Sequence, residues 1–450
     1  MTEPILVKNL RILLRRPGRV ETGASILLED GRITWIGEQP PPLSKTGYVI
    51  EGDTLIAAPC LYNAHTHSAM TLLRGYCDDY ELSEWLQYMW AVEKHLTPRI
   101  VREASLLAAM EMASTGTCGF MDMYFYPGET ARAAASLGLR ARLGPVIMGD
   151  VDPYKAVEHS IYFAKSLKGL KNIGGVINVH SIYAAPLDAV TYAAEAARQH
   201  GLPMHIHVSE TRREVYEAKK KYGLFPVELM AKKLNALNKY TVLVHAGWIA
   251  SWEINLVAEA GASIVHCPTS NMKLATAGHM PAYELIEKGV NLALGTDGPA
   301  SNNTLNMFLE MKQMVLLQRH SYWDTRIKAR HALQAATTGS ARAMKLPRGC
   351  GTIEEGAPAD LVLIDAEDPL IQPTRIDNIE STLVYAATGR EVRYTIVAGK
   401  IVYDRQRDWE RWRRRAAIIA RDLNRFIERY AGEKSPTPPT PRTYEPPLTQ

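Results

Sequence analysis

The sequence predicts an α/β chain whose main body is a (β/α)8 TIM-type barrel, joined to a small β-sandwich domain assembled from both termini. Three observations predict it. Between about residues 98 and 340, helix-period stretches alternate with short apolar strands, the pattern of a parallel sheet covered by helices. With the strand entering at Asn63–His67, the strands number eight, which suits closure into a barrel. Both ends of the chain instead carry β-type runs broken by turn signals.

Taken in order, the first β-type runs are ILVKNLRILL and SILLEDGRITWIG. The barrel opens with a strand entering at Asn63–His67. The next unit is the most legible. Thr97 caps a helix whose first turn holds Pro98, apolar residues recur through LLAAMEMA, and Gly116 ends it before the strand CGFMDMYF. Further strands follow at ARLGPVIM, GGVINVHS, PMHIHVSE, TVLVHAGW, ASIVHCPT and NLALGTDG. Then ADLVLIDA and VRYTIVAGKIVY return to the β pattern. WERWRRRAAIIARDLNRFIERYA has helical periodicity, with the arginines of 411–415 as a solvated face. The expected boundaries are 1–58 with 349–405 for the β-sandwich, 59–348 for the barrel, 406–432 for a C-terminal helix and 433–450 for a Pro-rich tail.

Composition excludes several classes. A chain of 450 residues suffices for one large catalytic domain plus an appendage. The net charge of +4 is spread along the chain, which argues against a nucleic-acid partner. The start MTEPILVKNLRILLRRPGR has no export signature, and no run of about 18 apolar residues suggests a membrane span. Cys60, Cys77, Cys118, Cys267 and Cys350 lie far apart without a CxxC pair, so reduced thiols in a cytoplasmic enzyme are expected, and no disulfide. Oligomeric state is left open, a homo-oligomer included.

The chemistry sits at strand ends. His65 and His67 are separated by one residue, so strand alternation points both imidazoles to one side. His205 and His207 share that spacing, and spacing alone does not choose between them. His180, His245 and His266 also end strands, and the last strand runs into Asp297. In a (β/α)8 barrel such residues converge on one rim. Three histidines and one carboxylate suit Zn²⁺, with an open position for a water whose pKa falls to roughly 7.

The blocks PCLYNAHTHSAMTLLRG, IHVSET, HCPTSNMKL and LGTDGPASNN resemble the amidohydrolase superfamily and, within it, the methylthioadenosine/S-adenosylhomocysteine deaminases. The resemblance spans roughly Pro59 to Met311, and GTIEEGAPADLVLID resembles the superfamily's composite β domain. It implies that His65, His67, His207 and Asp297 bind one divalent metal per subunit, Zn²⁺ with Fe²⁺ or Mn²⁺ as alternatives, and that His205 lies beneath the site. No lysine ends GGVINVHS, so a mononuclear centre is implied. Glu210 then protonates a purine ring nitrogen, while His245 and Asp297 assist the attacking water. Glu93 and His180 contact the ligand, Glu93 gripping the ribose hydroxyls. Ser301 contacts the purine or orders its loop, and His266 orients HCPTSNMKL.

The implied reaction is hydrolytic deamination of adenosine, 5′-methylthioadenosine or S-adenosylhomocysteine to the inosine analogue and ammonia. One departure bears on the substrate. Some relatives carry arginines beyond the third strand for a substrate carboxylate, whereas this chain reads GPVIMGDVDPYKAVEH. That favours methylthioadenosine or adenosine. The rival readings are a guanine or cytosine deaminase or a triazine chlorohydrolase, against which Glu210 and Glu93 argue, and a non-catalytic scaffold, against which the complete ligand set argues.

Overall fold

The computed structural model describes residues 3–41, 47–276 and 278–437. Its barrel strands are β1 (Leu61–Thr66), β2 (Thr117–Asp122), β3 (Arg140–Leu143, resumed at Val146–Ile147) and β4 (Ile173–Gly175, resumed at Ile177–Ser181). They continue with β5 (Met204–Val208), β6 (Thr241–His245), β7 (Ser263–His266) and β8 (Asn291–Leu294). All neighbouring pairs are parallel. Burial on both faces explains their composition: β5 reads MHIHV and β6 TVLVH, with every residue buried.

The ladder is not a regular ring. The breaks in β3 and β4 divide it into a four-stranded and a six-stranded sheet. Side chains and single backbone contacts join β8 to β1: Asp297 N–H donates to the His65 carbonyl at 3.0 Å, and Thr296 N–H to Asn63 Oδ1 at 3.0 Å. The seam between last and first strands therefore lies at the histidine pair.

Helix α1 (Leu82–Glu93) lies over the C-terminal rim, and α2 (Pro98–Ser114) covers the outside. The start of α2 is as expected: the Thr97 side chain accepts from Ile100 N–H, and Pro98 occupies the first turn. Gly116 takes φ +79°, a left-handed conformation that lets the chain turn sharply into β2. Helix α3 (Arg405–Tyr430) is capped by Asp404, whose carboxylate accepts from Gln406 N–H at 3.0 Å. Ile419 and Leu423 of α3 pack with Trp85 and Met89 of α1 and Val101 and Ala104 of α2. Its arginines face outward, pairing as Arg413–Glu410 at 3.0 Å and Arg415–Glu103 at 2.9 Å. Most of the expected Pro-rich tail, residues 438–450, lies outside the described residues.

Two further sheets draw on both ends of the chain. One has the order Arg32–Gly37, Ser25–Glu29, Ile5–Lys8, Tyr48–Glu51. The other runs Lys400–Asp404, Val392–Val397, Leu361–Asp365, Leu55–Pro59, Ile12–Arg16, Arg19–Glu21. Alternation along the second sheet divides its side chains between two cores. Leu13, Ala57, Leu361 and Leu363 join Val7, Ile26 and Ile33 in the sandwich, whereas Leu14, Ile56, Val362 and Ile364 pack with the barrel.

One expectation is corrected. Cys60 and Cys118, with a sequence separation of 58, do not lie far apart: their Cα atoms are 5.6 Å from each other and their sulfurs are adjacent. They sit at the starts of the adjacent strands β1 and β2, a proximity created by barrel register rather than sequence spacing. Cys77, Cys267 and Cys350 are free. Among the described residues, no helix is long and apolar enough to cross a membrane.

Candidate metal centre and substrate cavity

The strand-end histidines converge. His65 Nε2 lies 3.1 Å and His67 Nε2 3.2 Å from Asp297 Oδ1, and His207 Nε2 lies 3.3 Å from His65 Nε2. The potential ligand atoms of His65, His67 and His207 fall within 4.8 Å of one another, as do those of His65, His245 and Asp297. His67 Nδ1 donates to the Met123 carbonyl, and His207 Nδ1 to the His180 carbonyl at 2.8 Å. A carbonyl only accepts, so each Nδ1 carries a proton. Orientation of the second ring nitrogen by an outer partner is the arrangement typical of metal-ligating histidines.

Asp297 takes φ 61° just beyond β8, which swings its carboxylate toward the cluster. Its Oδ2 accepts from Ser270 Oγ at 2.5 Å and lies 2.9 Å from Ser301 Oγ, leaving Oδ1 toward the histidines. Burial opposes its charge, yet the imidazoles of His65 and His67 beside it hold its carboxyl well below the usual range. Burial pulls His65 down to about 3, so that ring is neutral. His67 is raised to about 9: burial pulls it down, but the hydrogen bond and charge of Asp297 prevail. A buried cluster of inward-facing acceptors that draws in positive charge fits a divalent cation. His205 has no place in it; its ring lies between His65 Nδ1 and Asn178.

The cluster forms the floor of a cavity at the C-terminal rim. His180, Glu93, Glu210 and His245 line it together with Trp85, Met89, Phe125 and Met148, and no lysine or arginine does so among the described residues. Glu210 follows β5, and His245 Nε2 lies 3.7 Å from its Oε1. Burial raises the Glu210 pKa, with the nearby His245 opposing the shift. Glu93, the last residue of α1, is only 8 % exposed, so it is not on a solvated helix face. It accepts from Tyr124 OH at 2.8 Å, and burial raises its pKa to about 7 against that hydrogen bond. Ser301 is buried against Asp297, a placement that orders its loop. His266 is buried at the end of β7 and is not one of the grouped ligand residues.

Four supporting residues escaped the sequence reading. Ser270 orients Asp297, Asn271 Nδ2 donates to His245 Nδ1 at 3.1 Å, and Tyr124 holds Glu93. The buried Glu214 accepts from Ser209 N–H at 3.0 Å and Glu210 N–H at 2.9 Å, fixing the loop that presents Glu210. Ser270 and Asn271 stand within HCPTSNMKL, so that block carried a signal; Tyr124 and Glu214 had none.

Residues 56–402 match the family model described as the Amidohydrolase family. A 5-methylthioadenosine/S-adenosylhomocysteine deaminase of Thermococcus sibiricus is 40% identical over 411 residues, covering 88% of this chain and 93% of the relative. A 5′-deoxyadenosine deaminase of Methanosarcina mazei is 38% identical over 407 residues, covering 88% and 92%. Among solved structures, an adenosine deaminase from Xanthomonas campestris with bound zinc superposes with a TM-score of 0.85 at 30% identity, covering 94% of this chain and 98% of that one.

Proposed function

The chain belongs to the amidohydrolase family, alongside the methylthioadenosine/S-adenosylhomocysteine deaminases, and from that premise we propose that it deaminates a small adenosine-type nucleoside hydrolytically at a single zinc centre. His65, His67, His207 and Asp297 would hold the Zn²⁺, an ion suited to neutral imidazoles with one carboxylate. When bound there, the ion supplies Lewis acidity and lowers the pKa of a water to roughly 7. Glu210, whose burial favours the protonated carboxyl, donates a proton to the purine nitrogen beside the amino-bearing carbon. His245 and Asp297 orient the attacking water, accept its proton and pass it to the departing amino group as ammonia. Glu93 accepts from the ribose hydroxyls and His180 contacts the bound ligand. Trp85, Met89 and Phe125 keep bulk water from the cavity.

The observation that carries this reading is the placement of Glu210 and Glu93 in the same cavity as the histidine–aspartate cluster. A ribose grip is useless to a free base. Ammonia release by the zinc-loaded protein from adenosine, 5′-methylthioadenosine, S-adenosylhomocysteine, guanine and cytosine tests it. The nucleosides should be turned over and the bases should not. Because no lysine or arginine lines the cavity among the described residues, S-adenosylhomocysteine should show no advantage over 5′-methylthioadenosine in kcat/KM. Preferential turnover of guanine or cytosine would contradict the reading.

A further inference from the structure

His205 stands outside the proposed ligand set, yet it is fully buried against it, 0% exposed, with its ring centroid 4.9 Å from that of His65. Its Nε2 lies 3.0 Å from His65 Nδ1, and its own Nδ1 lies 3.1 Å from Asn178 Oδ1. Asn178 sets the direction of this chain of contacts. The nitrogen of its amide meets two backbone carbonyls, those of Asp122 and Gly144, each at 2.9 Å. Carbonyls only accept, so that side of the amide is the NH₂ and the oxygen faces His205. The amide oxygen in turn only accepts, so His205 Nδ1 carries a proton.

A neutral ring protonated at Nδ1 keeps a lone pair at Nε2. His65 Nδ1–H donates into that lone pair. His65 is then left with its own lone pair on Nε2, the atom that faces Asp297 and His207 at 3.1 and 3.3 Å. The other tautomer of His65 would set N–H against the cation. His67 and His207 have backbone carbonyls, of Met123 and His180, to orient them. At His65 the corresponding partner is a side chain, and that side chain is held by another.

We propose that Asn178 and His205 form a relay of hydrogen bonds that locks His65 in the Nδ1–H tautomer and so presents its Nε2 lone pair to the divalent cation. Both are positioning residues; neither touches the substrate. The inference rests on the metal-centre reading above. It also explains a polar histidine and a polar amide in the barrel interior, where burial without partners is costly.

Zinc dissociation constants of the full-length wild type, His205→Leu and His205→Gln, measured by competition with a chelator, test the relay. Glutamine can accept from His65 Nδ1–H and donate to Asn178 Oδ1, so it replaces both bonds; leucine replaces neither. Leucine should weaken zinc binding by about 10- to 100-fold, the usual effect of losing a partner that orients a ligand, while glutamine stays within a few-fold of wild type. Nitrogen-15 resonances of the zinc-loaded wild type should show His65 and His205 both protonated at Nδ1, a reading that needs no variant to fold. Native affinity in His205→Leu, equal losses in both variants, or a proton on His65 Nε2 would overturn the relay. A wild type that binds no zinc would overturn the metal centre itself.

Discussion

Glu210 carries the proton transfer in this account, and its surroundings suit it to the task. Burial raises its pKa, so its carboxyl keeps a proton closer to neutral pH than an exposed glutamate does. Glu210→Gln preserves shape and hydrogen bonding but donates no acid proton. We expect kcat to fall by about 10²-fold or more while zinc content and thermal unfolding remain those of the wild type. A loss of only a few-fold would return Glu210 to the status of a buried surface-loop carboxylate. Residues of this kind were legible because they stand at strand ends with chemistry-bearing types: HxH before a turn, Asp297 after the last strand. Their supports were not. Tyr124 and Glu214 have functions only through what they face, and facing is set by register and loop path.

At the scale of elements, α1 and the loop after β5 each bring a carboxylate into the cavity. Glu93 closes α1 and is held by Tyr124 OH. If it accepts from both ribose hydroxyls, Glu93→Ala should cost about 1.5–3 kcal/mol in kcat/KM for adenosine, the range for hydrogen bonds to a charged group. The 2′,3′-dideoxy substrate should be nearly indifferent to the substitution. Equal losses on both substrates would remove the ribose grip.

The loop after β5 depends on Glu214, whose pKa burial raises from 4.5 to about 8. The folded state thus favours the protonated form. The stability linked to this group is fully present below about pH 4.5 and is lost as pH rises through about 8. Glu214→Gln, neutral throughout, should flatten the fall in Tm across that window, measured by thermal unfolding at a series of pH values. An unchanged slope would show that Glu214 stays ionised on its two backbone N–H groups. Element boundaries were legible where local chemistry marks them, as at Thr97, Pro98 and Gly116 around α2. The breaks in β3 and β4 were not, because a strand pattern does not report which hydrogen bonds its neighbours make.

Across the whole molecule, alternation in the six-stranded sheet ties the sandwich to the barrel, since Leu361 and Val362 enter different cores. At that junction Arg140 donates to the buried Asp360 at 2.5 Å, and Asp360 also accepts from Tyr62 OH at 2.6 Å. The composite origin of the β sheets was legible from β-type runs at both ends. The Cys60–Cys118 pair was not, since a separation of 58 residues carries no information about strand adjacency.

If a buried histidine–aspartate centre in this barrel deaminates an adenosine-type nucleoside, turnover must depend on its metal. The most direct test is ammonia release from 5′-methylthioadenosine by the full-length protein before chelation, after chelation, and after adding back stoichiometric Zn²⁺. Turnover should disappear with the metal and return with one equivalent of zinc. Turnover that survives complete removal of metal, or zinc-loaded protein that releases no ammonia from any adenosine-type nucleoside, would contradict the proposed function.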